Sequence, residues 1–335
     1  MRIELDAVDQ RLLNLVQRSF PLCPRPWAEL GLACGLAEHE VLARIHRLKA
    51  GRLLRQIGAI FDSKALGYRS ALVAAQAEPS LMQRSADIIS AHAGVSHNYE
   101  RDHAWNLWFT MAVPARRDLQ AEVDRLGGEA RLRRWQVLPA LQTFRIGVAF
   151  DLESGKATAM PASAPKRKVP AFFPGPQDEA AIRALQADLV LIPEPFEPMA
   201  QALGWPLERL FEWMADAHQH GWLRRYAAVL RHREAGFGEG AMGVWAVPPS
   251  RVEELGQAFA GASAVTHCYQ RPTFEGWPFN IFTMVHGTER GACLEALDAL
   301  AENVPGWVER SVLFSTKEFK KERVRYFLEE AHAIH

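Results

Sequence analysis

Apolar residues recur at helical spacing from Leu5 to Phe20, at Val8, Leu12, Leu15 and Val16. The prolines of PLCPRP, from Pro21, end that run. WAELGLACGL and then AEHEVLARIHRLKAG predict two short helices joined by a turn, a helix-turn-helix pattern closed by Gly51 at a C-cap position. Beyond Gly51 the pattern predicts a strand at RQIGAIF and a helix around Glu78 to Ala93. A hairpin of VSHNYER and AWNLWFTMAV follows, then a helix from Ala115 to Leu126 and a strand near Trp135 to Leu141. With RQIGAIF as its first strand, this is the β-α-β-β-α-β order of a ferredoxin-like sandwich.

The same pattern returns about 170 residues later, and a repeat of this length sets the fold before any local detail does. ACGLAEHEVLARI (from Ala33) matches ALGWPLERLFEWM (from Ala202), and GRLLRQIGAIFDSKALGY (from Gly51) matches GWLRRYAAVLRHREAGF (from Gly221). VSHNYER (from Val95) matches VTHCYQR (from Val265), and LWFTM (from Leu107) matches NIFTM (from Asn280). VLPALQTFRIGVAFDL (from Val137) matches VLFSTKEFKKERVRYF (from Val312) more loosely. The expected architecture is α+β and internally duplicated: helix-turn-helix over 1–54, sandwich over 55–152, linker over 153–176, helix-turn-helix over 177–224 and sandwich over 225–335. The linker is rich in Ala, Pro, Ser and Lys and has no periodicity. The two sandwiches are expected to face each other as an intramolecular pseudo-dimer, free to assemble further as a homo-oligomer.

Composition narrows the choice of partner. Thirty-nine basic and 39 acidic side chains cancel, which argues against a nucleic-acid backbone as the main partner. The first copy of the recognition helix is ambiguous, with Arg44, His46, Arg47 and Lys49 set against Glu38 and Glu40. The second is poor for the task, with Glu208, Glu212 and Asp216 against Arg209 alone. The four cysteines form no C-x-x-C pair and read as reduced thiols. The first residues carry no apolar signal segment, and no apolar run approaches the ~18 residues of a membrane span. A cytoplasmic protein without a membrane partner is expected. Phosphate-loop, dinucleotide-binding, zinc-protease and serine-nucleophile motifs are missing from the sequence.

The candidate chemistry sits on strands. Alternation puts Val95, His97, Tyr99 and Arg101 on one face, and Val265, His267, Tyr269 and Arg271 on one face of the second copy. A His-x-Tyr-x-Arg stripe in both halves reads either as a packed interface or as the wall of a pocket for a planar anion, since Arg grips carboxylates and aromatic rings supply flat apolar area. Two histidines lack a counterpart. His103 stands at a hairpin tip before Trp105 and Trp108, where the other copy has RPTFEGWPFN with Trp277. His232 stands in RRYAAVLRHREAGF among Arg224, Arg225, Arg231 and Arg233. HQHG, with His218 and His220, has no further ligands near it and reads as a helix end rather than a metal site.

Helix-turn-helix plus sandwich resembles the Lrp/AsnC regulators. The segments HNYERDHAWNLWFTM, RRYAAVLRHREAGF and THCYQRPTFEGWPFNIFTMVHG resemble the siroheme decarboxylases more closely, over nearly the whole chain apart from the linker. That resemblance implies conversion of siroheme to 12,18-didecarboxysiroheme on a route to haem d1, by loss of carbon dioxide from the acetates of rings C and D. It implies no added cofactor, because the iron belongs to the substrate and the macrocycle accepts the electrons. The asymmetry makes His103 and His232 the leading pair for proton transfer or iron contact, with His97 and His267 next. Arg101, Arg231, Arg233 and Arg271 are expected to hold carboxylates, and Tyr99, Tyr269, Trp105 and Trp277 to line the ring. The competing reading is a regulator that senses a tetrapyrrole or another small ligand.

Overall fold

The computed structural model describes residues 4–146, 148–151, 156–159, 174–231 and 239–328, with 148–151 and 156–159 as backbone strands. In the first half, helices α1 (Ala7–Arg18), α2 (Pro26–Cys34) and α3 (Glu38–Ala50) precede strand β1 (Leu54–Phe61). There follow β2 (Tyr68–Gln76), α4 (Met82–Ala91), β3 (Val95–Arg101), β4 (Leu107–Pro114), α5 (Leu119–Glu129), β5 (Arg134–Pro139) and β6 (Gln142–Arg145). A short pair, β7 (Val148–Asp151) and β8 (Lys156–Ala159), comes before the second half. That half repeats the order with α6 (Pro176–Gln186), α7 (Glu197–Leu203), α8 (Leu207–Gln219), β9 (Leu223–Leu230), β10 (Glu239–Ala246), α9 (Val252–Gly261), β11 (His267–Gln270), β12 (Ile281–Gly287), α10 (Arg290–Asn303) and β13 (Glu309–Lys321).

Local chemistry explains the helix ends. Asp6 and Asp9 cap α1 reciprocally, each carboxylate accepting the other's backbone N–H at 2.7 and 3.2 Å. Gly35 and Gly204 close α2 and α7 at φ 71° and 66°, a left-handed turn that costs glycine nothing and places the next helix in both copies.

The strand RQIGAIF does not open the first sandwich. It lies in β1, which pairs antiparallel with its counterpart β9 in a separate two-stranded ribbon. The first sandwich strand is β2, whose YRSALVAAQ is rich in alanine and so reads weakly as a strand from sequence. The β-α-β-β-α-β order therefore holds in each half, running from β2 to β5 and from β10 to β13. One face of the ribbon, with Ile57, Ala59, Phe61, Tyr226, Ala228 and Leu230, packs into a single core with helices of both helix-turn-helix units.

The two sandwich sheets join into one, in the order β5-β2-β4-β3-β13-β10-β12-β11-β6. Strand β13 pairs with β10 through 309–314 and then with β3 of the other half through 315–321. Strands β5 and β6 do the same in reverse, β5 pairing with β2 and β6 with β11. Each copy thus lends its last strand to the edge of the other, and the sheets face each other as the duplication implies. Between them lies an apolar layer drawn from both copies, including Trp105, Trp108 and Leu138 from the first and Trp277, Phe279, Phe282 and Leu313 from the second. Among the described residues, no helix is long and apolar enough to cross a membrane.

The basic residues of α3 are already engaged. Arg44 bonds Asp6 and Asp9 at 2.7 and 2.8 Å, Arg47 bonds the buried Asp9, and Lys49 pairs with Asp188 at 2.6 Å. On α8, Glu208, Glu212 and Asp216 are exposed, while Trp205, just before the helix, is buried. A phosphate backbone would have to compete with those ion pairs on one helix and would meet carboxylates on the other. We therefore predict that gel-shift titrations at physiological salt find no sequence-selective DNA complex. A salt-sensitive shift that discriminates between duplexes would contradict this.

Candidate active site

The two stripes face each other across the gap between the sheets, with one correction to their composition. A bulge follows Val95, so that Val95 opposes Met111 but His97 opposes Thr110. Val95 is thereby turned to the helix side, among Phe109, Met111 and Ile89, while His97, Tyr99 and Arg101 face inward. Val265 likewise joins the helix-side core of its own half. Buried Asn98 and Cys268 confirm the alternation: Asn98 donates to the carbonyl of Ala86 in α4, and Cys268 to that of Gly256 in α9.

The paired geometry is nearly two-fold. His97 Nδ1 lies 2.9 Å from Ser96 Oγ, and His267 Nδ1 lies 3.1 Å from Thr266 Oγ1. Each imidazole stacks on the tyrosine two residues on, with centroids 6.2 Å apart in both copies. Arg101 donates through Nη1 to the carbonyl of Leu313 at 2.9 Å, and Arg271 to that of Leu138 at 2.5 Å. Leu313 and Leu138 occupy equivalent places in opposite halves, so each arginine ties one copy to the other. Burial lowers both guanidinium pKa values to about 10. The buried Nε of each arginine has no protein partner.

His97 and His267 lie at one end of the gap, close enough for their charges to interact. Burial is the main cause that pushes His97 down to about 3, with Lys321, Arg55 and His267 adding repulsion. Burial and then Lys321 push His267 down to about 4. The ribbon β1–β9 covers this end, and Arg323 anchors it by donating to the carbonyls of Gly58 and Ala59 at 3.2 and 3.1 Å. Cations collect here. Arg55 is lowered by burial and by Arg231, and Arg323, down to about 10, by burial and then by Arg225 and Arg55. Arg323 Nη2 and Glu318 Oε2 are further buried atoms without a protein partner. Partly buried cations that repel one another, beside unpaired N–H groups, form a site suited to a ligand with several carboxylates. Among the described residues there is no cluster of three or more His, Cys, Asp or Glu that would hold a metal ion.

The other sequence candidates lie elsewhere. His103 is six residues along from His97, about 20 Å on an extended strand. Its Nδ1 accepts the backbone N–H of Trp105 at 3.0 Å, and its ring meets Trp277 edge-on. The hairpin tip that carries it thus contacts the other hairpin tip. Trp105 and Trp277 are buried in the same aromatic cluster, Trp277 stacked parallel to Phe274 at 5.7 Å. Arg231 is exposed at the cationic end, and its N–H continues the ribbon to the carbonyl of Leu53 at 2.9 Å. His232 and Arg233 lie outside the described residues. Sequence reading passes over Arg55, Lys321 and Arg323. Arg55 and Arg225 were detectable, because each is the fifth residue of a duplicated segment, GRLLR and GWLRR.

Both imidazoles are held neutral in the fold but take up a proton near pH 6.5 when unfolded. Stability is therefore full above that pH and is lost as pH falls through the window from 6.5 towards 3–4. Each histidine adds a slope of up to about 1.4 kcal/mol per pH unit. Urea unfolding between pH 7 and 5 should show this loss, and it should shrink in His97→Gln and His267→Gln. An unchanged slope in the double variant would contradict the neutral assignment.

Comparison with known proteins places this arrangement. A model described as the AsnC-like ligand binding domain matches residues 65–145 and 234–320, and one described as the siroheme decarboxylase NirDL-like HTH domain matches residues 9–55. A siroheme decarboxylase of Hydrogenobacter thermophilus is 38% identical over 96% of this chain and 95% of its own length. The siroheme decarboxylase NirDL subunit of Paracoccus denitrificans is 33% identical over 95% of this chain and 96% of its own. A crystal structure of the siroheme decarboxylase NirDL in co-complex with an iron-uroporphyrin III analogue is 31% identical. It covers 96% of this chain and 95% of that one, with a TM-score of 0.72. The chain belongs to the siroheme decarboxylase family.

Proposed function

We propose that this protein converts siroheme to 12,18-didecarboxysiroheme, as a carbon–carbon lyase on a route to haem d1, and that the macrocycle lies between the two stripes at the end bearing His97 and His267. The observation that carries this reading is the gathering of Arg55, Arg225, Arg231, Lys321 and Arg323 around two imidazoles and two tyrosines in a protein of zero net charge. Siroheme is planar and carries many carboxylates. The crystallised NirDL relative holds an iron-uroporphyrin III analogue. The iron here is part of the substrate, and the reaction needs no further cofactor.

In each step the bond between the acetate methylene and its carboxyl carbon breaks and carbon dioxide leaves. The electron pair passes to the conjugated ring, and one proton restores a methyl group. The protein has to hold the other carboxylates, exclude water from the reacting carbon and deliver that proton. Tyr99 and Tyr269 flank the imidazoles, and burial with its hydroxyl's desolvation raises the Tyr269 pKa, keeping the phenol protonated. Burial first of all keeps the histidines neutral in the free protein, and Lys321 repels the protonated form of both, with Arg55 adding to the repulsion at His97. Substrate carboxylates that pair with those cations remove the repulsion and add attraction. Binding thus raises the proton affinity of the groups that must carry the proton. Among the described histidines, His97 and His267 are favoured over His103 as donors. The Nδ1 of His103 is taken by a backbone N–H at the aromatic end of the gap.

Anaerobic incubation with siroheme, followed by mass spectrometry, should show successive loss of two carbon dioxide units. Removing a general acid–base group typically costs about 10²–10⁴-fold in rate. His97→Ala or His267→Ala should fall in that range, and His103→Ala should remain within a few-fold of the parent. The histidine ionisation seen in kcat should lie at higher pH than that seen in kcat/KM. Unchanged siroheme would refute the activity, and normal turnover by the double variant lacking His97 and His267 would move the donor elsewhere.

A further inference from the structure

The site is two-fold in its histidines, tyrosines and ribbon arginines, but not on the strands that close it. The crossing strands follow the same path in both halves. Lys320 Nζ donates to the carbonyls of Ser90 and His92, at 2.7 and 3.2 Å, and Arg145 Nη1 donates to their equivalents, those of Ala260 and Ala262. Glu318 opposes Tyr99 as Thr143 opposes Tyr269, and Lys320 opposes Asn98 as Arg145 opposes Cys268. An irregularity between Glu318 and Lys320 turns two successive residues outward and brings Lys321 opposite His97, on the inner face. The equivalent of Lys321, one residue beyond Arg145, is Ile146. One half therefore presents a carboxylate and an ammonium where the other presents a hydroxyl and an alkyl group.

Siroheme has a matching near-symmetry. Turning the macrocycle over about the in-plane axis between rings C and D exchanges the two acetates to be lost and the two neighbouring propionates. It does not exchange the groups on rings A and B one for one. A fully two-fold pocket would accept both orientations almost equally. We propose that Lys321 and Glu318 select one orientation, Lys321 by binding a substrate carboxylate and Glu318 by repelling one. They thereby fix which acetate is lost first. This rests on the siroheme reading above. The geometry adds to it that Glu318 Oε2 is buried without a protein partner, beside Arg55. A carboxylate so placed makes its surroundings unfavourable to a second one.

The test exchanges the two halves' residues: Lys321→Ile, Glu318→Thr, and the double exchange Ile146→Lys with Lys321→Ile. Each borrows a residue the duplicate already carries at that place, and melting curves exclude unfolding. Two readouts are taken. Absorbance titration gives affinity for iron-uroporphyrin III, and early quenching followed by NMR gives the regiochemistry of the monodecarboxylated product. The parent should yield one regioisomer. Lys321→Ile should bind roughly ten-fold more weakly, as expected for loss of a charge-assisted contact, and yield both. The double exchange should reverse the preference. A mixture from the parent, or a single unchanged regioisomer from every variant, would overturn the proposal. If the parent leaves siroheme intact, the activity reading fails. In that event unchanged affinity in Lys321→Ile would overturn the role of Lys321, and a ten-fold loss would support it.

Discussion

A ferredoxin-like sheet ends on its second strand, and a bare strand edge is a row of unpaired N–H and C=O groups that must be covered. Here the two bare edges, β3 and β11, are also the strands that carry the histidines. Each is paired by the last strand of the other half: β3 by the second part of β13, and β11 by β6. That exchange is the constraint on which the rest of the molecule depends. It holds the two inner faces opposite one another and buries the stripes. It also places Glu318 and Lys321 beside Tyr99 and His97, on the side of β3 away from β4. Arg101 and Arg271 reinforce it by bonding backbone carbonyls across the same boundary.

The closed gap is divided by polarity. One end is filled by Trp105, Trp108, Phe274, Trp277 and Phe279, whose rings touch in edge-on, tilted and parallel orientations. Aromatic contacts of this kind contribute about 0.5–1.5 kcal/mol each beyond the area they bury. The other end keeps imidazoles, phenols and cations under the β1–β9 ribbon. Apolar packing at the first end offsets the cost of burying polar groups at the second. The ribbon has the same dual character: one face belongs to the core shared with the helix-turn-helix units, and the other brings Arg55 towards His97. The helix-turn-helix units serve here as the base on which that ribbon is built, with the cations of α3 tied to Asp6, Asp9 and Asp188.

What could be read from the sequence follows from the range of each interaction. The duplication and the β-α-β-β-α-β order were legible because they rest on local periodicity repeated twice. The His-x-Tyr-x-Arg stripes were legible for the same reason, apart from Val95 and Val265. A bulge turns Val95 to the other face, Val265 precedes β11 and joins the helix-side core, and nothing in the residue types marks either. The ribbon was not legible: β1 and β9 lie about 170 residues apart, and RQIGAIF looks like any sandwich strand while the alanines of β2 conceal the true one. Asymmetry pointed to His103, yet the tip that carries it packs on Trp277. The asymmetry nearest the histidines lies instead at Glu318 and Lys321, where pairing with the other half can be seen only in three dimensions.

The central claim is that one macrocycle lies between the two stripes at the cationic end, held by both halves of a single chain. A crystal structure of this protein with bound iron-uroporphyrin III tests that claim most directly. The account predicts one macrocycle per chain between His97 and His267, with carboxylates on Arg55, Arg225 and Lys321. A macrocycle at the aromatic end beside His103, or one bound separately to each half, would contradict it.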